Sequence, residues 1–451
     1  MTYADIPEKI LLAAKKFPRR IAYEYNGSFI TYNQLADKAA GLSAFLSDGD
    51  SPVLIYGHKS PDFIIVLTAC LIAGRSFVPC DISIPCERVK RIAELSGAGL
   101  VICTEEGLSA DTDIPEISVC KLQRLYEENS ISPVPEGDEN AYIIFTSGST
   151  GEPKGIPVRR ESLQNFCNYA ERFLKSTVHT GHALFSFDLS VADIFPALMR
   201  GHTLIETDAP PEKDTGSFVC TPTFLRLCLL SESFSRDNFP SLETILCCGE
   251  VLPRETAKKC MSRFSDIRLI NAYGPAECCC FVTAYEVSRC VPDGDIPIGN
   301  GDNACNVEVR KGEIFISGIS TARGYITPSA QHDSFRDNGY YTGDMGEIHE
   351  GKLYFKGRKN GFVKYSGFRV ELSEIEEEIM KINGVMDCAC TALPDGFGQA
   401  RCIKAYVAAE APLSADEIKC LLSLRLPRYM IPKIIEFVSS VPMTPNGKIN
   451  L

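Results

Sequence analysis

The chain has 451 residues, 45% of them apolar and 23% charged, which is more than one hydrophobic core can organise, so at least two domains are expected. Its formal net charge of −12 argues against a protein that binds nucleic acid by neutralising phosphates and directs attention to small ligands or protein partners. No apolar run approaches the roughly 20 residues that span a bilayer. The twenty cysteines follow neither a secreted disulfide framework nor a zinc-ligand spacing, so they read as small buried residues of a cytoplasmic protein.

From the N-terminus, "MTYADIPEKILLAAKK" predicts an amphipathic helix. The strings "PVLIYG", "PDFIIVLTACLIAG", "SFVPCD", "GLVICT", "AYIIFT" and "HTLIET" then alternate buried-strand and helical patterns, the signature of an α/β fold with largely parallel strands. From about Pro292, "NVEVRKGEIFISG" and "YYTGDMGEIHEGKLYFKGR" alternate at strand period between glycine turns, predicting a small antiparallel, barrel-like module. A polar turn at 357–362, "GRKNGF", marks a hinge and divides a large domain, 1–358, from a small mobile α+β domain, 359–451. The small domain should run helix 373–383, strand 387–393, strand 402–409, helix 415–425 and an extended tail.

The most informative stretch is "AYIIFTSGSTGEPKG" at 141–155. A Ser/Thr/Gly cluster alone is usually a flexible connection. Here a buried-strand run precedes it, and "RRESLQNFCNYAERF" follows with Leu163, Phe166, Ala170 and Phe173 on one helical face. Strand, glycine loop and helix would present N–H groups and hydroxyls to phosphate oxygens. A Walker A loop is excluded, because Gly148 is followed at the required offset by Pro153.

This loop resembles the signature of the adenylate-forming superfamily, which includes acyl- and aryl-CoA synthetases, peptide-synthetase adenylation domains and luciferases. Further motifs of that superfamily follow in order along the chain: "ITYNQL" at 30–35, "LIAGRSFVPCD" at 71–81, "FDLSVADIF" at 187–195, "NAYGPAE" at 271–277, "GEIFISGISTARGYI" at 312–326 and "YYTGD" at 340–344. "GRKNGFVKYSGFRVELSEIE" at 357–376, "LPRYMIP" at 426–432 and "PNGKIN" at 445–450 complete the set.

The resemblance implies ATP-dependent activation of a carboxylate with Mg²⁺ as cofactor. It assigns the phosphates of ATP to Thr146, Ser147, Gly148, Ser149, Thr150, Gly151 and Lys154, and places Asn271, Ala272, Tyr273 and Gly274 around the nucleotide. Asp344 and Arg358 would contact the ribose and Glu277 the metal. Lys448 would reach from the small domain to the reacting carboxylate and α-phosphate, then withdraw as that domain pivots at Asn360 and brings in the loop around "VKYSGFR" for the acceptor thiol. Two departures are visible: Asn360 stands where Asp or Lys is usual, and Ala276 where Thr is usual, removing a hydroxyl near the α-phosphate.

Asp188 matches the carboxylate that pairs with the ammonium of an amino-acid substrate, which counts against a plain acyl-CoA synthetase; as a bare sequence feature it would be a helix cap. The strings "FSFDLSV", "CTPTFLRLCL" and "CGEVLP" are most similar to the branch that loads D-alanine onto a separate carrier protein. That similarity implies a small apolar pocket formed by Asp188, Leu189, Ala192, Val219, Leu246, Cys248, Ala272, Cys280 and Phe281, and a carrier protein's phosphopantetheine thiol as acceptor, in the service of teichoic acid D-alanylation. Another small amino acid in a nonribosomal peptide pathway, or a nucleotide-binding homologue without turnover, are the alternative readings. Neither nucleic acid nor membrane insertion is expected.

Overall fold

The computed structural model describes residues 5–127, 139–147, 152–301, 304–327, 334–359, 362–365, 367–395, 400–410, 413–439 and 441. Gly148, Ser149, Thr150, Gly151, Asn360 and Lys448 lie outside the described residues.

Two large sheets carry the first part of the chain. One has six strands in the order Glu116–Ile117, Leu100–Cys103, Val53–Tyr56, Phe77–Cys80, Asn140–Thr146 and Lys154–Arg159, parallel except for the last pair. Its central strands are buried along their whole length, which is why they read as unbroken apolar runs. The other sheet has nine strands and runs from Asn300–Gly301 through Arg268–Tyr273, Thr244–Cys247, Ser217–Cys220 and Val178–Gly181 to the edge hairpin Ile21–Tyr25 and Ser28–Thr31.

One hydrophobic core joins these sheets. It contains Val53 and Tyr142 of the first, Leu204 and Val219 of the second, and the helix Pro61–Ile72, which is apolar on every face and buried from Phe63 onward. Lys59 stitches the same layers electrostatically. Its buried ammonium lies 3.2 Å from Glu206 Oε2 and 3.1 Å from Asp208 Oδ1, and it donates to the His182 carbonyl at 2.8 Å.

The antiparallel module expected after Pro292 is present as five strands, Cys305–Arg310, Glu313–Gly318, Phe335–Arg336, Gly339–His349 and Lys352–Arg358. The C-terminal part has its own core around Val370, Ile375, Ile403 and Met430. It holds the hairpin Phe362–Tyr365 and Phe368–Glu371, helices Leu372–Met380 and Ala415–Ser423, and a three-stranded sheet of Val385–Pro394, Ala400–Ala409 and Ile434–Phe437. The last of these runs parallel to Ala400–Ala409 and occupies part of what the sequence presents only as an extended tail.

All twenty cysteines are free, and all but Cys86, Cys120, Cys290 and Cys420 are buried. Among the described residues, no helix is long and apolar enough to cross a membrane.

Candidate functional site

The hydroxyl-rich stretch is flanked by two paired strands, not by the strand and helix its sequence suggests. Strand Asn140–Thr146 pairs antiparallel with Lys154–Arg159, so that Thr146 faces Lys154 directly, and the helix begins only at Arg160. The alternation of Gly155, Ile156, Pro157 and Val158, with Ile156 and Val158 buried, makes the second strand. A strand, and not a helix N-terminus, follows this stretch directly. Of the described loop residues, Ser147 is buried, and the Thr146 hydroxyl faces the main cavity with no hydrogen-bond partner among the described residues.

Opposite this hairpin, strand Arg268–Tyr273 ends at Gly274 and Pro275, and one 3₁₀ turn over Ala276–Cys278 carries Glu277 inward. Only glycine fits at 274, because a Cβ there would lie 2.5 Å from the Cys280 carbonyl oxygen and from the Phe281 Cα. Glu277 is 1% exposed and accepts from the Tyr325 hydroxyl at 2.7 Å, so it is not a surface turn residue.

Asp344 and Arg358 face each other across neighbouring antiparallel strands and form an ion pair, while the Tyr273 hydroxyl donates to Asp344 Oδ2 at 2.7 Å. Asp344, Arg358, Glu277, Gly274, Thr146 and Ser147 all line one cavity. Asn271, Ala272 and Tyr273 line an adjoining one, where the Asn271 amide donates to the Pro297 carbonyl at 2.9 Å.

The same main cavity reaches Asp188, Leu189, Cys248 and Cys280. Helix Ser190–Arg200 has Leu189 at its N-cap and no side-chain cap, so Asp188 is not there to cap it. Instead Asp188 is buried, accepts from the Tyr142 hydroxyl at 2.9 Å and from the backbone N–H of Cys280, and forms no salt bridge among the described residues. Burial raises its pKa to about 7, against the two hydrogen bonds that lower it, and nearby Glu277 adds to the rise.

Ala192, Val219, Leu246 and Phe281 sit in the core behind this wall, and Phe281 packs edge-on against Phe166 at 4.9 Å. The structure thus gathers Asp188, Leu189, Cys248 and Cys280 at the cavity surface and leaves those four outside the lining. Sequence reasoning omitted Tyr142 and Phe187, although both lie within the motifs that carry Thr146 and Asp188.

The C-terminal part closes over this cavity. Gly367 donates its N–H to Glu250 Oε1 at 2.7 Å, and the Phe368 ring lies 5.2 Å from that of Phe187 and stacks on Tyr429 at 3.8 Å. Glu371 binds the hairpin ends twice, accepting from Lys154 Nζ at 2.8 Å and donating its N–H to Ser147 Oγ at 3.2 Å. Arg88 pairs with Glu374, and Arg226 with Asp395 at 2.6 Å. Lys154 is therefore engaged by a carboxylate of the C-terminal part in this arrangement.

Known proteins share both sequence and fold with this chain. Residues 12–326 match the AMP-binding enzyme family and residues 374–448 its C-terminal domain. D-alanine–D-alanyl carrier protein ligases of Bacillus cytotoxicus and Bacillus cereus are each 36% identical over 98% of this chain and 97% of their own length.

In fold, the chain matches a Vibrio cholerae adenylation domain solved with glycyl-adenosine-5′-phosphate, with a TM-score of 0.86 at 22% identity over 100% of this chain and 97% of that one. An o-succinylbenzoate CoA synthetase of Bacillus subtilis gives a TM-score of 0.85 at 18% identity, covering 98% of this chain and 97% of its own. With both parts of the chain matched and the carboxylates Glu277, Asp344 and Asp188 lining one cavity, the chain belongs to the AMP-binding enzyme family, as an AMP-forming ligase.

Proposed function

We propose that this ligase adenylates D-alanine and passes it to the phosphopantetheine thiol of a separate carrier protein in the cytoplasm. The observation that carries this reading is Asp188. A buried carboxylate with no salt bridge among the described residues, in a cavity it shares with Leu189, Cys248 and Cys280, suits a ligand with one ammonium and a very small side chain. The 36% identity to D-alanine–D-alanyl carrier protein ligases supports the choice of amino acid and acceptor.

In this reading Asp188 binds the ammonium and turns the substrate carboxylate toward Glu277 and the nucleotide side of the cavity. Leu189 and Cys248 bound the side chain, and Asp344, oriented by Tyr273 and Arg358, accepts from the ribose hydroxyls. Thr146, Ser147 and Lys154, with Gly148–Gly151, hold the departing pyrophosphate, and Lys448 neutralises charge on the reacting carboxylate and α-phosphate. The attack brings two anions together, so donors placed beforehand carry most of the catalysis.

Glu277 fits Mg²⁺, a hard ion commonly held by one or two carboxylates together with phosphate oxygens. Mg²⁺ would offset phosphate charge. Residues 359–451 act as a lid pivoting at Asn360. The arrangement with Glu371 on Lys154 and Phe368 beside Phe187 belongs to thiol transfer, because the lysine cannot serve a carboxylate and pyrophosphate at once.

ATP–pyrophosphate exchange over a panel of D- and L-amino acids tests the proposal. D-alanine should exchange best, and Lys448→Ala should abolish exchange while sparing transfer from preformed D-alanyl adenylate. Exchange with a different amino acid alone would reassign the substrate, and exchange with none, in protein that binds ATP, would overturn the reading.

A further inference from the structure

The strand Asn140–Thr146 carries more than the phosphate loop at its end. Tyr142 is 1% exposed, lies opposite Phe77 in the parallel sheet, and its ring stacks on Phe77 with centroids 5.7 Å apart at 29°. With the ring locked in this way, the hydroxyl has a fixed position. It donates to Asp188 Oδ1 at 2.9 Å and touches the Cys279 sulfur at 3.7 Å.

The second contact to Asp188 comes from the chain just after Glu277. Cys279 and Cys280 both occupy the left-handed region, with φ of 59° and 69°, which is uncommon for residues with a Cβ and persists only where packing enforces it. That turn brings the Cys280 N–H to the Asp188 carboxylate. A carboxylate has about four acceptor positions. Two neutral donors therefore aim it without cancelling its charge, leaving acceptor positions for a ligand that brings several N–H donors.

We infer that Tyr142 is a positioning residue for amino-acid recognition, holding the Asp188 carboxylate ionised and directed into the cavity for the substrate ammonium. This rests on the reading of Asp188 given above. It couples the two ends of one strand: Thr146 faces the nucleotide side of the cavity and Tyr142, four residues earlier, sets the group that selects the acid. The groups facing Asp188 are the Tyr142 hydroxyl, the thiols of Cys278, Cys279 and Cys280 with the Cys280 N–H, and Glu277, whose like charge opposes ionisation. Against that set, the tyrosine donor favours the anion.

The test is Tyr142→Phe in the full chain, measured by amino-acid-dependent pyrophosphate exchange from pH 5.5 to 9, alongside Asp188→Asn and the double variant. Tyr142→Phe should raise KM for the amino acid about tenfold while KM for ATP stays within about twofold, and should move the acidic limb of kcat/KM for the amino acid upward by about one pH unit. In the Asp188→Asn background the same substitution should add little, because the tyrosine acts through the carboxylate.

An unmoved limb with a lowered melting temperature would make Tyr142 a packing residue and overturn the inference. Additive effects in the double variant would do the same. If Asp188→Asn itself leaves the amino-acid KM unchanged, it is the reading of Asp188 that fails. Should Tyr142→Phe not fold, a fluorinated tyrosine at 142 keeps the ring and strengthens the donor. The limb should then move downward, and a stationary limb would overturn the inference.

Discussion

Asp188 and Glu371 are both buried carboxylates that touch the hairpin 140–159, yet their charges are answered in opposite ways. Glu371 meets the ammonium of Lys154 at 2.8 Å, whereas Asp188 meets a tyrosine hydroxyl and a backbone N–H. A buried charge is tolerated when it is paired. The pair at Glu371 is internal and joins the C-terminal part to strand Lys154–Arg159, so in the proposed function it opens when that part moves. Asp188 has no such ion pair among the described residues, and in the proposed function the substrate ammonium supplies it. In the proposed function, one carboxylate thus serves docking, and the other recognition.

Glu206 supplies a third case, and there the largest effect is expected. Its carboxylate is fully buried beside Asp193; Lys59 at 3.2 Å and, more weakly, His58 offset its charge, and burial raises its pKa to about 7. Lys59→Met should lower unfolding free energy by about 3–5 kcal/mol, measured by denaturant titration, because it leaves the buried Glu206 carboxylate without its nearest counter-charge. A loss within about 1 kcal/mol would show that water or protonation already relieves it. Asp188→Ala makes the contrasting case: it should leave stability near that of the parent and raise KM for the amino acid about a hundredfold, with KM for ATP little changed, in pyrophosphate exchange. An unchanged amino-acid KM would erase the distinction between the two carboxylates.

Much of this arrangement was legible in the sequence. The unbroken apolar runs gave the buried strands, and the alternation after Pro292 gave the antiparallel module, because side-chain period follows directly from which faces are buried. The resemblance puts Asp344 and Arg358 at one site, although their cross-strand ion pair was not readable from it. What escaped was non-local. "KGIPVR" is too short and too Gly/Pro-rich to announce a strand until it pairs with "NAYIIFT". Phe281 reads as pocket wall from its place in a motif, but the left-handed turn at Cys279 and Cys280 directs its ring toward Phe166. Tyr142 reads as one more core residue in an apolar run, since its hydrogen bond crosses 46 positions of sequence.

A smaller and more selective effect is expected at the docking carboxylate. Glu371→Gln keeps the shape and the contact to Ser147 but leaves Lys154 without a formal counter-charge from this side chain in the docked arrangement. Transfer from preformed adenylate to the carrier thiol should slow about tenfold in single-turnover assays while adenylation is unchanged or faster, since the lysine is then less drawn from the phosphates. Equal slowing of both half-reactions would mean that the Lys154–Glu371 pair supports the fold and not the alternation.

The mildest probe is pH. Because the Asp188 carboxyl is raised to about 7 by burial, the native state binds its proton more tightly than the unfolded chain does, so this group lowers stability as pH climbs from about 4 through 7; Glu206, raised to about 7 for the same reason, acts in the same direction. Recognition has the opposite sign. Only the ionised form pairs with an ammonium, so kcat/KM for the amino acid should fall about tenfold per pH unit below about 7, and the limb in kcat should lie lower, since the bound ammonium favours the carboxylate. Saturating D-alanine should therefore raise the melting temperature more at pH 8 than at pH 6. An equal shift at both values would mean that the Asp188 charge is already answered before the ligand arrives, and the difference between the docking and the recognition carboxylate would vanish.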